Sequence, residues 1–192
     1  MNNKNIECSD EHPVKHLDFT FRKATPDDAL CISVLGMQVY LDTYAPQGIR
    51  RLIAEDALHN FSPPIIAEVM AKPDTTFIVV ETNQHMVGFA QLTAHAKHEL
   101  VPFADATELN RLYIQEKFTR RGLGRTLLAQ AEKAAHTSGA SALWLSAWIG
   151  NARALGFYSS QDYEDVGSTL YTFHGEHYEN RLFVKRRKFQ AG

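Results

Sequence analysis

Thr119-Arg120-Arg121-Gly122-Leu123-Gly124-Arg125-Thr126 is the stretch on which the fold turns. Before it, Glu108 to Ile114 reads as a strand; after it, Leu123 to His136 is rich in Ala and Leu and reads as a helix. Strand, polar loop, glycine and helix form one unit. Two glycines let backbone amides approach an anion closely, and a helix start adds unpaired N–H groups and a partial positive charge, so the segment reads as a pyrophosphate cradle. It is not a dinucleotide fingerprint, because Leu127 stands where the third glycine of G-x-G-x-x-G would fall, and no G-K-[ST] follows to make a P-loop. Taken alone, the fragment also reads as a tight turn with solvated arginines.

Outward from this unit the chain alternates strands and helices. Leu17 to Arg22 has the period-two pattern of a strand, and Thr25-Pro26-Asp27-Asp28 opens a helix running to about Tyr40. Pro46 to Ala71 reads as one or two helices broken at Ser62-Pro63-Pro64. Thr76 to Glu81 and Met86 to Thr93 form a hairpin, and 94–106 is a loop. Leu143 to Ala147 is a buried strand, Asn151 to Ser160 a short helix, and Tyr163 to Phe173 with Tyr178 to Lys185 a terminal strand pair. The order predicts an α/β protein with a mixed sheet and helices on its faces.

Bulk properties narrow the function. The chain has 192 residues, 44% hydrophobic and 22% charged, which suits one globular domain over 17–188 behind a flexible polar tail at 1–16. Twenty Lys and Arg against 22 Asp and Glu leave a net charge of -2, with no global field for nucleic acid or a membrane. The cluster Lys185-Arg186-Arg187-Lys188 closes a strand and is read as a solvated end. Cys8 and Cys31 cannot make a disulfide framework, the N-terminus lacks a signal-type apolar segment, and no run spans a bilayer, so a cytoplasmic protein is expected. Cys31 is assigned to a core-facing helix position. Nine histidines include His95-x-x-His98 and His174-x-x-His177, but no third ligand falls at diagnostic spacing, so no metal is expected.

A second motif follows the Leu143 to Ala147 strand: Asn151-Ala152-Arg153-Ala154-Leu155-Gly156-Phe157-Tyr158. Alone, Asn151 is a helix cap and Tyr158 a core aromatic. Together with the glycine loop, the ordered pair resembles the GCN5-related N-acetyltransferase superfamily over about Leu17 to Lys185, within it most the bacterial polyamine acetyltransferases of the PaiA type. The sequence departs from that pattern at Thr119, usually Gln or Arg, at Asp162, usually Gly, and at Asn180, where the polyamine enzymes carry Asp.

The resemblance implies an acyl-CoA acyltransferase fold with a mixed, mostly antiparallel sheet whose fourth strand is bulged and splays from the fifth. Acetyl-CoA would enter the splay, with its arm along Leu112, Tyr113 and Ile114, its pyrophosphate on Thr119 to Thr126, and Asn151 and Tyr158 beside it. A primary amine is protonated at neutral pH, with only about one part in 2,500 neutral at pH 7, a handicap of about 4.6 kcal/mol. Glu108 falls where the superfamily's histone-modifying members carry their catalytic glutamate, acting through water, and otherwise reads as a strand-edge acid. A backbone N–H of Tyr113 or Ile114 would support the oxyanion, and Tyr158 matches the general acid for the departing thiolate. The expected activity is acetyl transfer to a small-molecule amine, polyamines first, in a direct ternary complex. Alternatives are protein, peptide or aminoglycoside amines, or an acyl-CoA sensor without catalysis. Asp42, Glu55 and Asp56 either attract a cationic acceptor or are solvated helix charges. The assembly state stays open, a homodimer included.

Overall fold

The computed structural model describes residues 17–173 and 175–187. The expected tail over 1–16, Cys8, His174 and Lys188 lie outside the described residues. Twelve regular elements follow in order: β1 (Thr20–Lys23), α1 (Ala29–Tyr44), α2 (Arg51–Phe61), α3 (Pro63–Met70), β2 (Thr75–Thr82), β3 (His85–Thr93), β4 (Ala106–Ile114), α4 (Leu123–Thr137), β5 (Ala142–Trp148), α5 (Ala152–Ser160), β6 (Glu164–Phe173) and β7 (Glu176–Arg186). The strands make one sheet in the order β1-β2-β3-β4-β5-β7-β6. Every neighbouring pair is antiparallel except β4 with β5.

Side-chain alternation along β2 and β3 sorts the two apolar layers. Phe77, Val79 and Phe89 meet Ile32, Leu35, Phe61 and Ile66 from α1 to α3 on one face. Ile78, Val80, Val87 and Ala90 meet Leu127, Leu128 and Ala131 of α4 on the other, where Tyr158 of α5 also packs. The hairpin turn between β2 and β3 has two residues, Asn83 and Gln84, both at positive φ, the backbone that matches the twist of paired strands. Near the start of the chain, Arg22 donates to Asp28 at 2.7 and 2.8 Å and to Glu81 at 3.0 Å, and its guanidinium holds the Asp28 carboxyl down at about 2.

Two expectations need correction. Helix α1 runs to Tyr44, four residues past the expected end at Tyr40. Cys31 is exposed rather than in the core. The basic strand end is exposed at Arg186 and Arg187, with Arg186 over the Phe103 ring, while Lys185 is half-buried, bonding Glu132 at 2.9 Å over the Tyr163 ring.

Two features of β4 position the site. Its pairing with β3 runs Gln91 to Arg111 and Leu92 to Leu109, so Asn110 is an extra residue, a bulge. Its pairing with β5 covers only Ala106 to Glu108 against Ala142 to Trp144, and beyond that the two strands part. Gly88 of β3 lets β4 close in, since a Cβ there would meet the Tyr113 carbonyl oxygen and Ile114 Cδ1 at 2.5 Å each.

Candidate functional site

The parting of β4 from β5 frees one backbone edge of β4 from Leu109 onward. Which amides face the gap follows from the ladder. Gln115 N donates to the Val87 carbonyl at 2.9 Å, so by period-two alternation Tyr113 N–H also points to β3, while Leu112 and Ile114 present theirs to the gap. Of the two amides considered from the sequence, the one turned toward the gap is that of Ile114.

Downstream, the loop and the start of α4 form the cradle. Gly122 caps α4 with φ +80°, a left-handed backbone, and a Cβ there would meet no atom within 4 Å, so the space above is open. Arg120 also adopts positive φ, 59°. Among the described residues, the amides of Arg120 through Arg125 have no hydrogen-bond acceptor, whereas Thr119 N bonds Glu116 O and Thr126 N bonds Gly122 O. A run of unpaired donors at a helix N-terminus is what a diphosphate needs. Arg120 and Arg125 add side-chain charge at the same cavity. The side chains of three expected cradle residues are engaged elsewhere, so only their main chain is available to the cradle: Arg121 lies over the Phe118 ring, Leu123 is buried in the core, and the Thr126 hydroxyl bonds the Gly122 carbonyl.

This first cavity, about 500 Å³, is lined by Leu112, Tyr113, Ile114, Thr119, Arg120, Gly122, Gly124, Arg125, Asn151, Phe157 and Tyr158 among others. Asn151 caps α5, its Oδ1 accepting from Ala154 N at 3.0 Å. Tyr158 follows on the same helix, 8% exposed, its ring against Phe157, Tyr163 and Phe183. Burial pushes its hydroxyl well above the usual phenol range, so it stays protonated at neutral pH. The turn after α5 places Asp162 at φ 64°, the left-handed backbone that the family's usual glycine would adopt.

A second cavity, also about 500 Å³, lies on the α1 and α2 side of the gap and meets the first at Tyr44 and Tyr113, which line both. Glu108 is on its wall. Burial raises the Glu108 carboxyl above its ordinary range, while the Asn110 side chain and the Arg111 charge act in the opposite direction. Asp56, 3% exposed, accepts from the Tyr40 hydroxyl, from Tyr171 at 3.1 Å and from Asn60 Nδ2 at 2.8 Å. It is therefore a hydrogen-bonded wall of the cavity and not a solvated helix charge. Glu55 pairs with Arg51 at 2.7 Å, and Asp42 lines a neighbouring groove. Arg50 at the start of α2 bonds Glu176 at 2.6 and 3.0 Å and the Tyr178 hydroxyl at 2.9 Å, tying α2 to the β6–β7 hairpin over the cavity.

The sequence reading missed Arg111, Tyr44 and Trp148 in this cavity. Tyr44 became visible only with the longer α1. Among the described residues no group of three or more His, Cys, Asp or Glu is placed to hold a metal, and no helix is long and apolar enough to cross a membrane.

A split mixed sheet with an amide cradle in one cavity and a carboxylate in an adjoining one has the form of a two-substrate transferase. The acetyltransferase (GNAT) family matches residues 40–163, and the chain belongs to that family. It is 25% identical over 128 residues to an N-acetyltransferase encoded in the pepI 3' region of Lactobacillus delbrueckii subsp. lactis, covering 66% of this chain and 73% of that protein. Its fold is similar to that of the PaiA N-acetyltransferase of Thermoplasma acidophilum, solved with coenzyme A (TM-score 0.66, 20% identity, 88% of this chain and 99% of that one). It is also similar to that of yncA of Salmonella typhimurium, solved with acetyl-CoA (TM-score 0.63, 17% identity, 91% and 96%).

Proposed function

We propose that residues 17–188 form one domain, an acetyl-CoA-dependent N-acetyltransferase acting on the primary amine of a small molecule. The observation that carries this reading is the run of unpaired amides from Arg120 to Arg125, in a cavity that adjoins the one holding Glu108. The residues fit the cosubstrate: donors for a diphosphate at Gly122, and a free strand edge at Leu112 and Ile114 for an amide-bearing arm. When bound, acetyl-CoA supplies an acetyl group activated as a thioester. Glu108 accepts, through water, the proton that the ammonium gives up, and its raised pKa makes it a better base than an ordinary carboxylate. The Ile114 N–H faces the gap where charge develops on the acyl oxygen. Tyr158 donates its hydroxyl proton toward the departing sulfur as the N–C bond forms and the C–S bond breaks; the second proton lost by the nitrogen returns to the Tyr158 oxygen through solvent and the first leaves Glu108 for solvent, so amide and free thiol are released with one net proton.

Polyamines are the acceptors that the sequence resemblance puts first. Two acids in the second cavity, Asp56 and Glu108, would serve a cation, but Asp56 is already held by three donors. Asn180 lines the same cavity where the polyamine enzymes resembled by the sequence carry an acid. The cavity is thus one carboxylate short of that pattern.

Thiol release from acetyl-CoA, measured against a panel of amines, tests the reading. Tyr158→Phe should lower turnover about 100-fold with acetyl-CoA affinity held within a few-fold. Calorimetry showing no heat with acetyl-CoA, or thiol release indifferent to every amine, would overturn it.

A further inference from the structure

We infer that the amine acceptor also carries a carboxylate, which Arg111 binds, so that the substrate is an amino acid with an apolar side chain. This rests on the acyl-transfer reading above. Glu108 and Arg111 are three residues apart, a spacing that in a regular strand puts side chains on opposite faces. The bulge at Asn110 takes up the odd residue. Leu109, Leu112 and Ile114 therefore pack toward α4, and Glu108, Arg111 and Tyr113 share the face turned to α1 and α2.

Arg111 is built to wait for an anion. One nitrogen, Nη1, donates to Gln91 Oε1, and the guanidinium carbon sits 4.7 Å above the Phe61 ring. Gln91 and Phe61 are buried, 5% and 1% exposed, so they fix the guanidinium plane. Among the described residues Arg111 has no carboxylate partner, whereas Arg22, Arg50, Arg51, Arg153 and Arg181 each have one. A guanidinium offers five donors in a rigid fork, and most of those on Arg111 are uncommitted. Holding such a charge half-buried among aromatic rings costs solvation that an incoming carboxylate restores by bidentate pairing.

The rest of the cavity agrees. Asp56 is not paired with Arg111: its oxygens accept from Tyr40, Tyr171 and Asn60. With the carboxylate on Arg111 and the amine toward Glu108, the side chain faces Leu52, Ile53, Trp148 and Phe173. A polycation would instead bring a second positive charge toward Arg111.

The test compares each apolar proteinogenic amino acid with the amine left by removing its carboxylate, such as phenylalanine with phenethylamine, and adds spermidine, all in the thiol-release assay. At least one amino acid should exceed its decarboxylated partner in kcat/KM by about 10- to 100-fold, chiefly through KM, the range expected of a charge-assisted pair. Arg111→Gln should bring that ratio close to one, and Arg111→Lys, which keeps the charge but loses the fork, should leave it intermediate. Decarboxylated amines or spermidine turned over as well as the amino acids, or a ratio unmoved in Arg111→Gln, would overturn the assignment while leaving acyl transfer standing. Thiol release with no amine at all would overturn both. If Arg111→Gln strands Gln91 and fails to fold, the wild-type ratios decide alone.

Discussion

The cavity at Gly122 and the cavity at Glu108 share Tyr44 and Tyr113 but are made of different material. The first offers main-chain donors: the amides of Arg120 to Arg125 and the free edge of β4. The second presents side chains from α1, α2, β4, β5, β6 and β7. A main-chain cradle tolerates changes of side chain, since its donors do not depend on which side chain stands at a position such as Thr119. A side-chain cavity has no such tolerance, and there one residue can set which acceptor is used. On the proposed reading, the first cavity carries the shared chemistry and the second the specificity.

The sharpest way to break this division is to remove the proposed base. Glu108→Gln should lower kcat/KM about 100- to 10,000-fold at neutral pH, with acetyl-CoA affinity unchanged within a few-fold. The pH profile gives the sign. Glu108 must be ionised to accept a proton, so activity falls as pH drops through its pKa, and burial moves that acid limb above the ordinary carboxylate range near 4.3. In Glu108→Gln the inflection at that pKa should vanish, leaving the slope set by protonation of the amine itself. A variant that keeps the inflection would place the base elsewhere.

A smaller effect is expected in the cradle. Gly122→Ala meets no steric neighbour, so its cost is the left-handed backbone alone, about 1 to 2 kcal/mol. If that strain distorts the amides rather than being absorbed, acetyl-CoA affinity should fall about 5- to 30-fold. Preference among amines should not move. Calorimetry with acetyl-CoA and the amine panel check the two halves separately, and a changed amine preference would show that they are not independent.

The same contrast explains what the sequence could disclose. The cradle was legible because its residues are contiguous and glycine has a local meaning. Asn151 and Tyr158 were legible because they share one helix. The second cavity was not, because its walls come from segments far apart in the chain. Arg111 was hidden for a further reason: the bulge at Asn110 is set by pairing with Gln91 and Leu92 across the sheet, and period-two reading of β4 alone puts Arg111 on the wrong face. Cys31 was misplaced because α1 is apolar all round, with Leu30 and Val34 exposed at 61% and 60%, so no periodicity selects its inner face. Asp56 looked like a surface charge because only the fold lays Tyr40 and Tyr171 over it.

The gentlest test concerns Asp162, just past the end of α5. Its φ of 64° is left-handed, and Tyr163 N reaches back to the Tyr158 carbonyl at 3.2 Å across the same turn. Aspartate tolerates this backbone better than most residues but less well than glycine, so the turn has kept its shape at the expense of some strain. Asp162→Gly should therefore raise stability by up to about 1 kcal/mol, read as a higher denaturant midpoint at unchanged m-value, with the entropy of a freer unfolded chain limiting the gain. Because the turn fixes where α5 ends and Tyr158 packs, acetyl-CoA affinity and amine preference should both stay as they are. A loss of stability would mean that the Asp162 side chain holds the turn by a contact of its own, and that this end of the first cavity depends on side chains as the second one does.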